Sequence, residues 1–215
     1  MWQKFSFYDV RVIGHYLGVL ISFFSLLLVV PLVTALVLQE WEPATRYLLA
    51  IGLSLIVGSG MRMMRIQPGR LNRQQAMAVT GLAWFFLALI AAVPLALSDH
   101  YASYIDALFE CMSGLTTTGA SIVVDLDHLS NADNMFRFLM HFLGGLGLIV
   151  VALSLGILGK GTSELYTSEG RSEHVLPNIV NTTRLISRIA IVLVGVSAVM
   201  VTIICLIAGM EPIRA

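Results

Sequence analysis

The chain has 215 residues, of which 57% are hydrophobic and only 12% charged, and its formal net charge is zero. Soluble domains are about half apolar and about a quarter charged, so the charge deficit marks a chain that meets lipid. It carries no nucleophile–base pair and no metal-ligand cluster, which disfavours an enzyme, and no nucleic-acid partner is expected.

A membrane span needs about 20 mostly apolar residues. Val12 to Leu38 meets that length, with Pro31 set to kink it near its far end. The run is far longer than the apolar core of a signal peptide, about 7–15 residues, and no small-residue cleavage site follows, so it reads as a retained helix. Gly14 and Gly18 form a GxxxG pair suited to close helix packing. Glu40, Trp41, Glu42 and Pro43 read as a turn, with Trp41 at an interface. Tyr47 to Met64 is a second span, Ala76 to Leu97 a third, Met135 to Leu158 a fourth and Leu185 to Gly209 a fifth. Cys111 and Cys205 lie in or beside apolar segments and suggest neither a disulfide framework nor a zinc site.

Lysine and arginine bias sets the orientation. Arg62, Arg65, Arg70 and Arg73 follow the second span without an acid, and Lys4 and Arg11 precede the first. Lys160, Arg171, Arg184 and Arg188 fall on the same side by alternation. The stretch from Asp99 to Asp133 has six acids and no lysine or arginine, so it faces outward. Five spans with a cytoplasmic N-terminus satisfy every loop, provided that the apolar run Tyr104 to Leu115 does not cross.

That run is half a span. A helix from Ser103 to Gly114 is about 18 Å long at about 1.5 Å per residue, against a hydrocarbon core of about 30 Å. It dips in from outside, stops at Ser113-Gly114 and returns through Leu115 to Ile122. Backbone of that kind is tolerated at depth only when buried in protein or lining a wet path. The C-terminal end of the half-helix favours a cation. Thr116, Thr117, Thr118, Gly119 and Ala120 offer backbone and hydroxyl oxygens that can replace the hydration shell of potassium. Gly119 is free to take positive φ. The predicted fold is therefore an all-α membrane protein of five transmembrane helices plus one re-entrant pore half-helix and filter loop.

Two motifs in this order, DALFECMSGLTTTGAS at 106–121 and RFLMHFLGGLGLIV at 137–150, follow two leading helices. Together they resemble the Trk/Ktr/HKT superfamily of potassium transporters, specifically the TrkH-type membrane subunit, over essentially the whole chain. The resemblance implies potassium uptake across a bacterial inner membrane through four helix–loop–helix repeats, with potassium as the bound ion. It also implies one filter glycine per repeat, here Gly119, a cytosolic nucleotide-binding regulatory subunit and a homodimer. The expected divisions are residues 1–73 as the leading helices with a basic loop and 74–159 as the first repeat. Residues 160–184 form a cytoplasmic linker, and 185–215 the first helix of a second repeat. One filter strand cannot encircle an ion. Either the chain is a fragment, or a truncated relative that does not transport, or four copies assemble in a ring, which ranks lower.

Asp106 and Glu110 are expected to support the pore helix, and Gly144, Gly145 and Gly147 to pack the following helix against it. Arg137 and His141 have Glu110 and Asp133 as candidate partners, but residues at such a position more often snorkel to the interface. Asp125, Asp127 and Asp133 are expected at the outer mouth, as a solvated loop or as a field that concentrates cations.

Overall fold

The computed structural model describes residues 6–64, 71–124, 126, 128–147 and 179–207, and the side chains of 179–184 and 205 are outside that description. The described residues form helices joined by turns, with no strand among them. The helices are α1 (Phe7–Leu27), α2 (Val29–Val37), α3 (Trp41–Arg62), α4 (Arg73–Ala96), α5 (Tyr104–Leu115), α6 (Asn131–Leu146) and α7 (Ile179–Ile207).

α1 begins with a capping box in which Ser6 and Asp9 exchange backbone N–H bonds. Pro31 has no N–H to bond Leu27, and the helix is interrupted at Leu28 before continuing as α2. The expected turn at 40–43 is shorter than predicted. Trp41, Glu42 and Pro43 already belong to the first turn of α3, where the missing N–H of proline costs no helical bond. α1 and α3 cross with their backbones in contact. A Cβ on Gly18 would lie 2.7 Å from the Gly58 carbonyl oxygen, and one on Gly58 would lie 2.8 Å from the Ser22 nitrogen.

Among the described residues four helical segments are long and apolar enough to cross a membrane: Phe7–Val37, Trp41–Arg62, Arg73–Ala96 and Leu185–Ile204. α6 has 16 described residues and ends at Gly147, whose φ is +80°. The rest of the predicted fourth span, 148–158, and most of the predicted linker, 160–184, lie outside the described residues. α7 has no buried share in its apolar window, and Ile189, Ile191, Val192 and Leu193 are all at least half exposed. A helix apolar on every side is suited to lipid or to further protein, not to water.

The core runs through α1, α3, α4, α5 and α6, with Leu20, Phe24, Tyr47, Leu87, Leu115, Phe136 and Met140 among its fully buried side chains. α5 sits between α4 and α6. Its residues Ala107, Glu110, Cys111 and Gly114 are buried and recur at the three- and four-residue spacing of one helix face. Ile105 and Phe109 are exposed on another face of α5.

Candidate functional site

Both ends of the segment around α5 lie at one end of the bundle. His100 Nε2 is 3.1 Å from the His128 carbonyl oxygen, which ties the loop before α5 to the loop before α6. α5 starts there, capped by Ser103 Oγ accepting the Asp106 N–H at 3.3 Å. Its 12 residues give a rod of about 18 Å. The chain then reverses and returns toward the start of α6.

The reversal is a closed helix terminus. The Thr118 N–H donates to the Ser113 carbonyl at 2.9 Å and the Thr117 N–H to the Gly114 carbonyl at 3.0 Å. This paired pattern puts the residue after the C-cap in the left-handed region, a place usually taken by glycine. Here it is Thr117, with φ of +55°. A β-branched residue in that conformation is strained. The carbonyl end of α5, expected to favour a cation, already accepts two amides of its own loop.

Thr116, Thr117, Thr118, Gly119 and Ala120 are all exposed. Thr116 Oγ1 donates back to the Met112 carbonyl at 2.8 Å and lies 2.8 Å from Thr118 Oγ1. Thr117 Oγ1 donates to the Thr116 carbonyl at 2.7 Å. Gly119 has φ of +75°, and a Cβ there would meet nothing within 4 Å. Its need for glycine is conformational, not steric.

The returning strand hangs on Glu110, which is only 4% exposed. Its carboxylate accepts from Ser121 Oγ at 3.1 Å and from the Ile122 N–H at 3.0 Å. Arg137 of α6 donates to the same carboxylate, through Nε at 2.8 Å and through Nη2 at 2.7 Å. Nη2 also reaches Ser121 Oγ at 3.0 Å. Arg137 therefore does not snorkel; with Glu110 it forms a buried ion pair that joins α5, the return strand and α6. His141, one turn along, has Nδ1 2.9 Å from the Arg137 carbonyl. Asp106 is half-buried in the first turn of α5, where negative charge suits the helix N-terminus.

The glycines of α6 divide the packing unequally. A Cβ on Gly144 would overlap the Leu115 carbonyl oxygen and lie 2.9 Å from Thr117 Cγ2. On Gly145 it would stand 4.0 Å from Thr117 Cγ2, an ordinary contact. Gly147 ends the helix.

Asp133 departs from expectation. It is 1% exposed and lies inside the protein, not at a mouth. Tyr47 Oη donates to it at 2.6 Å and Arg46 Nη2 at 3.1 Å. Arg46 Nη1 also donates to the Pro94 carbonyl at 2.9 Å. Glu40, another residue given no role by sequence reasoning, accepts the Asn131 N–H at 2.9 Å and the Ala132 N–H at 3.0 Å. Asp125 and Asp127 lie outside the described residues. Tyr101, between α4 and α5, is buried with no hydrogen-bond partner for its hydroxyl, and burial followed by the nearby Glu110 charge pushes its phenol up.

Among the described residues no group of histidine, cysteine, aspartate and glutamate is arranged to hold a metal ion. What the site offers is a short helix, a strained reversal and an exposed row of threonine and backbone oxygens.

Several known proteins are similar to this chain. The profile of the family described as TrkH, cation transport protein, matches residues 43–211. An uncharacterized cation transporter of Methanocaldococcus jannaschii is 31% identical over 83% of this chain and 37% of its own length. The Trk system potassium uptake protein TrkG of Escherichia coli is 32% identical over 81% of this chain and 37% of its own. TrkH of Halomonas elongata is 34% identical over 75% of this chain and 34% of its own. This chain thus spans little more than a third of the curated relatives that it matches. The crystal structure of the potassium transporter TrkH from Vibrio parahaemolyticus superposes with a TM-score of 0.70 at 24% identity, over 97% of this chain and 41% of that one, a likeness of fold.

Proposed function

We propose that this chain, which belongs to the TrkH family of cation transport proteins, supplies the first of four filter strands for potassium uptake. The observation that supports this most is the reversal after α5. A helix too short to cross about 30 Å of hydrocarbon ends inside the bundle and turns back to its starting end, leaving Thr116 to Ala120 exposed along one side. In the membrane α5 is a re-entrant half-helix, entered from the outer face, and the count of spans is five with the N-terminus cytoplasmic. Residues 74–159 are the first repeat, 1–73 the leading helices, 160–184 a cytoplasmic linker and 185–215 the opening of a second repeat.

Potassium is the substrate, met by the carbonyls and hydroxyls of Thr116, Thr117, Thr118, Gly119 and Ala120. No covalent step is involved. Oxygen ligands without carboxylates suit a weakly hydrated monovalent cation better than calcium or magnesium, which usually recruit acids. Three other filter strands complete the ring. The relatives' description as parts of a Trk system fits a cytosolic nucleotide-binding regulatory subunit as partner, a homodimer as assembly and the bacterial inner membrane as location.

The test uses residues 1–215 in place of the matching third of a full-length Trk relative, in cells with no other potassium uptake. Growth at low potassium is expected, and Gly119→Asp abolishes it. Uptake with unchanged potassium affinity in the Gly119→Asp protein overturns the reading.

A further inference from the structure

One short stretch at the start of α3 reaches both helices that flank α5. Glu40 bonds the two leading amides of α6, Asn131 and Ala132. Arg46 spreads its guanidinium between the Pro94 carbonyl, near the end of α4, and Asp133, in the first turn of α6. Tyr47 holds the other oxygen of Asp133. Every one of these contacts crosses from α3 or the residue before it to the first repeat, and Arg46, Tyr47 and Asp133 are all buried.

The contacts are directional. The first amides of a helix have no partner within it, and a carboxylate satisfies them. Pro94 lies two residues before the end of α4, so its carbonyl has no helical N–H to accept and takes the guanidinium instead. Arg46 is the only residue in this set that holds α4 and α6 together. A planar fork with several donors can do that, whereas a single ammonium cannot hold two acceptors in the same geometry. The Glu42 carboxylate, 3.5 Å from Arg46 Nε, adds a further charge from the exposed side.

The gap between α4 and α6 holds α5, and the return strand is tied to α6 through Arg137. We propose that Arg46, with Glu40 and Tyr47, is a positioning brace by which the leading helices fix the α4–α6 gap and so set the filter strand. The link to ion discrimination rests on the function proposed above; the mechanical part does not.

Two arms test it. Spin labels at Leu97→Cys and Asn134→Cys, both exposed positions, with Cys111→Ala and Cys205→Ala, report the α4–α6 separation of the chain in lipid nanodiscs by pulsed EPR. Arg46→Met and Arg46→Lys are both expected to shift or broaden the distance by about 1–2 Å, the scale of helix displacements at interfaces. In the transporting full-length chain, Arg46→Lys is expected to lower potassium-over-sodium discrimination about tenfold, equivalent to about 1.4 kcal/mol, at similar protein abundance.

A wild-type distance in either variant overturns the brace, and the lysine variant decides if methionine prevents folding. Full rescue by lysine in both arms shows that Arg46 only neutralises Asp133, which also overturns it. A changed distance with unchanged discrimination refutes the link to the filter. Absence of uptake by the parent protein refutes the proposed function, and the EPR arm still decides the brace.

Discussion

Replacing Glu110 by glutamine tests the central contact most directly. The carboxylate accepts from Ser121, from the Ile122 amide and from two nitrogens of Arg137. An amide of the same shape keeps one acceptor oxygen and turns an NH2 toward donors. Breaking a buried ion pair costs about 3–5 kcal/mol, and stranding a buried backbone N–H costs about 1–3 kcal/mol. These figures overlap. Arg137 keeps Ser121 as a partner and its side chain is 15% exposed, so the net expectation is shifted about 1 kcal/mol below that range, to about 2–4 kcal/mol. For a chain of this size that lowers the thermal midpoint by about 5–15 °C. The assay is thermal unfolding in detergent, followed by hydrogen exchange at the Ile122 amide, whose protection should fall. Asp106→Asn is the internal control, expected to cost less than about 1 kcal/mol because it touches only the helix end. A Glu110→Gln midpoint within error of the wild type, with Ile122 still protected, refutes the argument that this carboxylate holds the strand.

Gly144→Ala is expected to lower the midpoint by several degrees or prevent folding. The added methyl meets a backbone oxygen that cannot swing aside, and overpacking typically costs about 1–3 kcal/mol. Gly145→Ala, one residue on, is expected to leave the same measurement nearly unchanged. Tyr101→Phe removes a buried hydroxyl that has no partner; a midpoint raised by about 2–4 °C, for about 1 kcal/mol, is expected.

Much of the helical layout was legible because it rests on local pattern. α5 occupies Tyr104–Leu115 against an expected Ser103 to Gly114, since a short apolar run with a serine–glycine stop announces itself. The α2 break near Pro31 follows from a missing N–H in the same way. The contacts between segments were not legible. Asp133 sits among other acids in the sequence and reads as part of a solvated loop, yet its partners are Arg46 and Tyr47, 87 and 86 residues earlier. No periodicity announces such a pairing. Glu40 was hidden for the same reason, beside a tryptophan that suggested an interface. Arg137 had the right partner among its candidates, but position alone favoured the interface over the ion pair. The threonine at a left-handed position could not be read at all, because the sequence signal for that conformation is glycine or asparagine.

The Glu110–Arg137 pair also has a consequence for how the protein is made. The guanidinium follows its carboxylate by 27 residues, so α5 leaves the ribosome while its counter-charge is still inside the exit tunnel. With α5 re-entrant as proposed, an ionised acid in lipid is costly, and until α6 arrives the short helix is favoured at the water interface. Emergence of α6 then delivers the arginine that makes the buried position favourable. Entry of α5 into the fold is thereby timed by the element that follows it, and a pause in translation between the two would hold the strand outside without trapping it in the wrong place.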